Sequence, residues 1–519
     1  MIIGVDVGGT NTDAVLMDGT KLIASRKLPT TPNVSDGIVN AIRLVLKRSD
    51  VPTDRIQCVA IGTTHFTNAL VEREGLLNVG LIRIALPASS GVLPLSDWPP
   101  DLAAAIGDNM VLVGGGYHVD GSMDSELDEL AVRDAARKFR SNGLKSVAIS
   151  ALFSPVNDDM EQRAEEIVRN ELPDAAITRS SEVGSMGLLE RENAAIMNAS
   201  LLDLSARVVK SIRRALRQLQ VEAPFFLSQN DGTLMTAEVA ERYPVLTFAS
   251  GPTNSMRGAA FLSGATDALV ADIGGTTTDI GMLSNGFPRE SSVTADIGGV
   301  RTNFRMPDIL ALGLGGGSLV SNDGTGLLIG PQSVGYRLLE EALVFGGRTL
   351  TASDVAVAAG YAQLGDPSLV ANLPRKTVKL ALAEIHRMLA EGVDRMKTSA
   401  EPVPLILVGG GSVLIDQDIP GVSEVIVPDS AAVANAVGAS ISLAGGEIDT
   451  VYSYEAVGRD TAMKAARERA EQAAIDAGAR PGTVQITNVE EIPLSYVPGA
   501  LVRLRIKAAG DLALSGLSA

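Results

Sequence analysis

An α/β fold in two similar halves is predicted by three features of the 519-residue chain. Strand-like and helix-like stretches alternate from the first residues onward, as they do in α/β proteins. One eight-residue phrase occurs twice, as Asp6-Val-Gly-Gly-Thr-Asn-Thr-Asp13 and Asp272-Ile-Gly-Gly-Thr-Thr-Thr-Asp279, with six of eight positions identical. The length exceeds one ordinary core, so about two to three domains are expected.

The elements follow in order. Apolar residues flank each copy of the phrase: Ile2-Ile3-Gly4-Val5 and Ala14-Val15-Leu16 around the first, Leu269-Val270-Ala271 and Ile280-Gly281-Met282 around the second. Each copy therefore reads as strand, Gly/Thr turn, strand. A third apolar stretch spans Leu22 to Leu28. A helix is expected from about Asp36 to Lys47, with Ile38, Ile42, Val45 and Leu46 on one face. Strands are expected at 56–61, 79–84 and 146–150, and a loop at 87–100. Amphipathic helices are expected near 126–139 and 159–171, and a long one without Gly or Pro from about 190 to 219. Further strands are expected at 224–227, 245–248 and 268–273. Residues 286–350 are rich in glycine and carry no clear periodicity. A helix near 376–396 precedes the strand Leu405–Val408 and the triple glycine 409–411. After a strand at 425–428 and a small-residue helix at 431–440, the last 70 or so residues read as strand, helix (about 456–477), strand, strand. The expected division is 1–185, 186–447 and a small α/β unit at 448–519.

Chemistry concentrates in the repeated phrase. Phosphate binding needs backbone N–H groups converging from a tight turn, and glycine lets the chain approach without a Cβ. Thr10, Thr12, Thr276 and Thr278 could add hydroxyls. Asp6 and Asp272, at the strand ends, suit Mg²⁺, which takes one or two carboxylates together with water and substrate phosphates. An ordinary Gly-rich turn would account for one copy. Two near-identical copies 266 residues apart point to a two-sided clamp on a nucleotide. The turn Gly409-Gly410-Gly411 could lie flat against an adenine ring.

Other classes are argued against. The sequence holds no Gly-Lys dipeptide, hence no Walker A loop, and no Gly-x-Ser-x-Gly or His-Glu-x-x-His. His65, His118 and His386 are far apart. One cysteine, Cys58 in an apolar run, allows neither an internal disulfide nor a Cys-rich zinc site. A formal charge of -17 disfavours nucleic acid as a partner. No apolar run approaches the ~18 residues of a membrane span, and the N-terminus lacks a basic region, so a cytoplasmic protein is expected.

The paired hairpins and the late glycine turn resemble the actin/Hsp70/sugar-kinase superfamily. Within it the chain is similar to the hydantoinase A/oxoprolinase family. The resemblance runs from residue 1 to about 440, through Ile3-Gly-Val-Asp-Val-Gly-Gly-Thr-Asn-Thr-Asp13, Gly62-Thr-Thr-His-Phe-Thr-Asn-Ala-Leu-Val-Glu-Arg73, Ser250-Gly-Pro252, Asp272–Asp279 and Gly313-Leu-Gly-Gly-Gly-Ser318. It implies two ribonuclease H-like (actin-like ATPase) domains around a nucleotide cleft. It also implies ATP and Mg²⁺, and ATP-dependent opening of a cyclic amide (hydantoin, 5-oxoproline or lactam) by phosphorylation of the carbonyl oxygen. Asp6 and Asp272 would then hold Mg²⁺. Gly8, Gly9, Thr10, Asn11, Thr12, Gly274, Gly275, Thr276 and Thr277 would cradle phosphates, and Gly409, Gly410 and Gly411 would meet the adenosine. Asp13 and Asp279 would tie the turns or orient the acceptor. Thr63, Thr64 and His65 would face the substrate, the plain alternative being a helix N-terminus capped by a threonine. Ser181–Ser185 and Glu190–Asn193 would sit over the substrate or solvate the long helix.

The chain departs from the family run Ser-Gly-Pro-Ala-Gly-Gly at Thr253-Asn254-Ser255, which is expected to reshape a loop near the nucleotide. No B-type hydrolase half is recognised, so that half-site is expected from a separate subunit. Homo-oligomerisation stays open. Two other classes also stay open: a small-molecule kinase of the same superfamily, and a nucleotide-gated, non-catalytic partner protein.

Overall fold

Strand Ile2–Val7 is buried at five of its six positions, as a near-continuous apolar run requires of a strand covered on both faces. It pairs antiparallel with Asn11–Asp18 and parallel with Cys58–Thr63. Lys21–Pro29 extends the sheet beyond the hairpin, and Phe225–Ser228 and Leu234–Thr236 extend it on the other side. Ala444–Ser453, Leu501–Gly510 and Gln485–Pro493 bring it to nine strands. Strands from 186–447 thus continue the sheet begun by residues 1–185, and the 447/448 division falls inside one strand. The computed structural model describes residues 1–514 apart from 31–33, 292–293, 305, 323–325, 416–417, 496 and 498.

The second copy of the phrase founds a second sheet. Leu269–Ile273 pairs antiparallel with Thr278–Ser284 and parallel with Val403–Val408, which in turn pairs with Val422–Ile426. Both hairpins share one register, with Asp6 opposite Asp13 and Asp272 opposite Asp279. Their turns close alike: Gly8 N–H donates to the Asn11 carbonyl at 3.0 Å, and Gly274 N–H to that of Thr277 at 2.9 Å.

Two helices, Ser250–Ser263 and Ala434–Ser440, lie between the sheets. Val15 and Met17 of the first sheet pack on Ala436 and Val437. Val270, Ile406 and Val408 of the second pack on Met256, Ala259 and Ala434. The helices touch backbone to backbone. A Cβ on Gly258 would lie 1.8 Å from the Ala434 carbonyl oxygen, and one on Gly438 would lie 1.9 Å from that of Asn254. The outer faces are covered separately. Ile3, Val5 and Leu16 pack under helix Val34–Ser49, through Ile38, Ile42 and Val45, and near the 31-residue helix Leu188–Gln218. Leu269, Ala271 and Ile273 pack under Arg375–Met396.

A third, all-parallel sheet orders Ala176–Arg179, Ser146–Ala151, Val79–Leu86 and Met110–Gly114. Helices Glu129–Ser141 and Asp159–Glu171 share its core, as the apolar spacing of both segments requires. Cys58 is buried in its strand. Among the described residues, no helix is long and apolar enough to cross a membrane.

Two expectations are corrected. The segment 245–248 is not a strand. Pro244–Thr247 forms a 3-10 turn, because Pro244 has no N–H to give to a ladder. Nor do Arg191, Glu192 and Asn193 solvate the start of the long helix; all three are buried. Arg83 Nε and Nη2 donate to the two Glu192 carboxylate oxygens at 2.7 and 2.5 Å. Arg191 donates to the carbonyls of Ala151, Ser185, Met186 and Gly187. Asn193 accepts from Trp98 Nε1 at 2.8 Å and so pins the long loop before it. The glycine-rich 286–350 region, left unassigned by periodicity, forms short hairpins. One of them, Ala295–Ile297 with Val300–Thr302, inserts Ile297 and Val300 into the core of the first sheet.

Glu192→Ala should leave the Arg83 guanidinium buried without a counter-charge. The expected loss in chemical denaturation is ~3–5 kcal/mol. A loss below ~1 kcal/mol would mean that the pair behaves as a surface salt bridge.

Candidate functional site

The two Gly-Gly-Thr turns abut: a Cβ on Gly275 would lie 3.1 Å from Thr10 Cγ2. Gly9 and Gly410 border open space, since a Cβ on either would meet nothing within 4 Å. Gly8, Thr10 and Asn11 are half-buried beside the exposed Gly9; Gly274, Gly275 and Thr276 are half-buried beside the exposed Thr277. Thr12 and Thr278 lie in the strands that leave the turns. Both are buried. Thr12 Oγ1 lies 3.4 Å from Thr30 Oγ1, and Thr278 Oγ1 donates to the Leu314 carbonyl at 2.7 Å. These two hydroxyls shape the turns and do not line the open space.

The glycine segment 313–318 braces the second turn. Gly316 and Gly317 N–H donate to the carbonyls of Gly274 and Gly275 at 3.0 and 2.7 Å. A Cβ on Gly315 would strike Thr276 N at 2.6 Å. The triple-glycine turn touches the same hairpin, with Gly411 N–H donating to the Ile273 carbonyl at 2.7 Å. Gly409 has φ +84°, which glycine alone adopts without strain.

Four aspartates collect at these hairpins. Asn254 Nδ2 donates to Asp6 Oδ1 at 3.2 Å, and Asn435 Nδ2 to Asp6 Oδ2 at 2.9 Å. Ser255 Oγ donates to Asp272 Oδ2 at 2.5 Å. Asp13 is salt-bridged to Lys27 at 2.7 Å, and the Lys27 ammonium also reaches the Ala432 carbonyl. Burial, together with the charges of Asp13 and Asp272, pushes Asp6 up to about 6. Burial, then the charge of Asp272, pushes Asp279 up to about 7. Burial raises Asp13 and Asp272 as well, against the opposing pull of Lys27 on Asp13 and of the Ser255 hydrogen bond on Asp272.

Thr63, Thr64 and His65 open the helix His65–Glu72. Thr63 is buried, and its Oγ1 accepts from His65 N–H at 3.2 Å. Ser250 Oγ donates to the Thr63 carbonyl at 3.0 Å. Thr64 Oγ1 donates to the Val7 carbonyl at 3.3 Å. Burial favours the neutral form of His65, and the charges that act on it are those of Glu72 and Arg207, not the hairpin aspartates. The threonines therefore tie this helix to the first hairpin, while His65 stands apart from the carboxylate cluster.

Sequence reasoning missed Asn254, Ser255, Asn435 and Lys27. The first two lie in the departure from the family run, which is not a loop but the start of helix Ser250–Ser263. Asn435 and Lys27 have no local signal. Among the described residues no group of three or more His, Cys, Asp or Glu could hold a metal ion, so a divalent cation here would rest on two carboxylates together with water and substrate oxygens. Carboxylates outnumber the one lysine paired with them, and two buried acceptors, Asp13 Oδ1 and Asn254 Oδ1, have no hydrogen-bond partner among the described residues. Asp6 and Asp272 are the residues that would hold it.

Residues 2–172 match the family described as hydantoinase/oxoprolinase N-terminal region, and residues 191–366 the family described as hydantoinase/oxoprolinase. The chain is 30% identical over 410 residues to the caprolactamase subunit alpha of Pseudomonas jessenii, covering 75% of this chain and 58% of that one. It is 28% identical over 396 residues to the acetophenone carboxylase gamma subunit of Aromatoleum aromaticum, covering 69% and 53%. It thus spans a little over half the length of these curated relatives. In fold it resembles the ATP-dependent caprolactamase of Pseudomonas jessenii (TM-score 0.80, 22% identity, 98% of this chain and 87% of that one). It also resembles nucleotide-free acetone carboxylase (TM-score 0.70, 18% identity, 99% and 88%).

Two outcomes are expected of this site. In Gly62→Ala, the new Cβ would lie 2.2 Å from Asn254 Nδ2 and 2.3 Å from Asp6 Oδ1. Thermal unfolding should show a loss of ~1–3 kcal/mol; an unchanged midpoint would show that Asp6 moves freely. The second outcome concerns pH. Asp6 and Asp279 have raised values in the folded chain, so the native state binds more protons than the unfolded one between about pH 4 and 7. Their contribution to stability is full below pH ~4 and is lost as pH rises through about 6 and 7. In chelator, Asp279→Asn should flatten this decline in midpoint; a slope equal to that of the wild type would contradict it.

Proposed function

The chain belongs to the hydantoinase/oxoprolinase family, and on that premise we propose that it is an ATP-dependent enzyme, or the ATP-using subunit of one, that opens a cyclic amide. The observation that carries this reading is the face-to-face pair of Gly-Gly-Thr turns in one register, Gly275 against Thr10, with an aspartate at each strand end. In this reading the two hairpin-bearing halves are ribonuclease H-like, and the strands between residues 444 and 510 extend the sheet of the first. The turn amides, with Thr10 and Thr276, hold the phosphates of ATP from two sides. The Gly409–Gly411 turn meets the adenosine. Asp6 and Asp272 hold Mg²⁺, which when bound offsets phosphate charge.

The chemistry is positioning and charge neutralisation. The carbonyl oxygen of the ring attacks the γ-phosphorus, forming one P–O bond while the bond to the β,γ-bridging oxygen breaks and ADP leaves. The ring nitrogen lone pair supports this step, and the carbon becomes a strong electrophile. Water then adds to that carbon, the C–N bond breaks with a proton delivered to nitrogen, and a second water cleaves the resulting acyl phosphate to carboxylate and phosphate. Asp279, at about 7, is matched to moving protons at neutral pH. Asp13, held by Lys27, serves to fix the first hairpin.

A second reading is favoured by the carboxylase relatives: an ATP-using subunit of a ketone carboxylase, with the acceptor oxygen on a ketone enolate or on bicarbonate. Because relatives are named as subunits, a partner chain is part of both readings.

The test is phosphate release from Mg·ATP with 5-oxoproline, hydantoin or caprolactam, and separately with acetone or acetophenone plus bicarbonate. Stimulation by one ring supports the first reading, and stimulation only with ketone and bicarbonate supports the second. Asp6→Asn should lower the stimulated rate at least ~100-fold, the scale of losing a preorganised electrostatic contact. Intact turnover in that variant would overturn the assigned role.

A further inference from the structure

Asn254 and Ser255 are neighbours on one helix, yet they reach carboxylates from different hairpins: Asn254 reaches Asp6, and Ser255 reaches Asp272. Two more contacts make the arrangement nearly symmetric. A Cβ on Gly62 would lie 2.3 Å from Asp6 Oδ1, and one on Gly409 would lie 2.3 Å from Asp272 Oδ1. Each carboxylate is therefore enclosed by a glycine of its parallel neighbour and by a donor from helix Ser250–Ser263. Asn435, on the helix crossing it, closes the second oxygen of Asp6. Asn254 is fully buried, and its Oδ1 is left without a partner beside the cluster.

From this we infer that Asn254 and Ser255 are positioning residues that hold Asp6 and Asp272 as one unit. The relation between the two carboxylates is then set by a single turn of helix and not by the two sheets separately. The inference rests on the proposed use of Asp6 and Asp272 for a divalent cation. An asparagine amide and a serine hydroxyl cannot neutralise the carboxylates. They hold one rotamer of each and leave the remaining lone pairs for the cation.

The experiment uses the full chain and MgCl₂ alone, read by thermal unfolding without nucleotide or substrate. Asn254→Ala and Ser255→Ala should each raise the Mg²⁺ concentration that gives half the maximal shift by ~10–100-fold. The double variant should lose little more than the worse single variant, because either change breaks the unit. Ser255→Thr, which keeps the hydroxyl, should restore the wild-type value. Circular dichroism and the metal-free midpoint separate folding failure from this effect, and Ser255→Thr keeps the test decisive if Asn254→Ala does not fold. Half-saturation unchanged in the alanine variants, strictly additive losses, or no Mg²⁺ shift in the wild type would each overturn the inference. If the Mg²⁺ shift is present and lost in the variants while no substrate stimulates ATP turnover, the inference stands and the proposed reaction falls. If turnover is stimulated and the variants titrate like the wild type, the reverse holds.

Discussion

The contact on which the rest of the structure depends is the crossing of two helices between two sheets. Ser250–Ser263 and Ala434–Ser440 approach until backbone meets backbone, at Gly258 over Ala434 and Gly438 over Asn254. A methyl group at either position would force the helices apart, and with them the sheets that pack on their outer sides. Gly4 repeats the constraint one layer out, since a Cβ there would lie 2.1 Å from the Ala436 carbonyl oxygen. Because the layers are this thin, short side chains such as Asn254, Ser255 and Asn435 can reach the strand-end carboxylates.

The electrostatics follow from that compactness. Four aspartates are brought to two abutting turns, and Lys27 pairs with one of them. Amide and hydroxyl donors orient Asp6 and Asp272 without cancelling their charge, so burial raises the values of all four. Burial thus favours protons on these carboxylates, beside the open face of Gly9 and Gly410. In the proposed reading, the turn amides and threonines offer donors to a polyanion where the aspartates offer acceptors to a cation. The burial of these carboxylates is why the chain is expected to respond to pH at this place.

Polar networks elsewhere are structural. Arg83 and Glu192 join the third sheet to the long helix, and Arg191 gathers the carbonyls of the loop at 185–187. They hold the strands at 79–86 and 146–151 to the same helix that packs on the first sheet. The hairpin at 295–302 does similar work from the second half, placing Val300 in the first core and meeting Arg73 through the Gly298 carbonyl.

By itself the sequence determined the two hairpins and the helices whose apolar spacing is regular. Strand pairing across a short turn, and the burial of one helical face, are decided by residues close along the chain. Asp6 facing Asp13 follows from a two-residue turn, and Ile38, Ile42 and Val45 follow from a period of 3.6. The tertiary structure alone decided what meets those elements. Asn254 lies 248 residues from Asp6, and Asn435 lies 429 residues from it. No local pattern separates a buried asparagine from a solvated one. The run Arg191-Glu192-Asn193 reads as a wet helix start until Arg83, Ser150 and Trp98 cover it. Threonines 12 and 278 belong to the same phrase as the open turn, but the elements packed on both faces of their strands bury them. Local chemistry names the groups that can act; which of them face one another is set by long-range packing, because burial and charge pairing are properties of the partner surface.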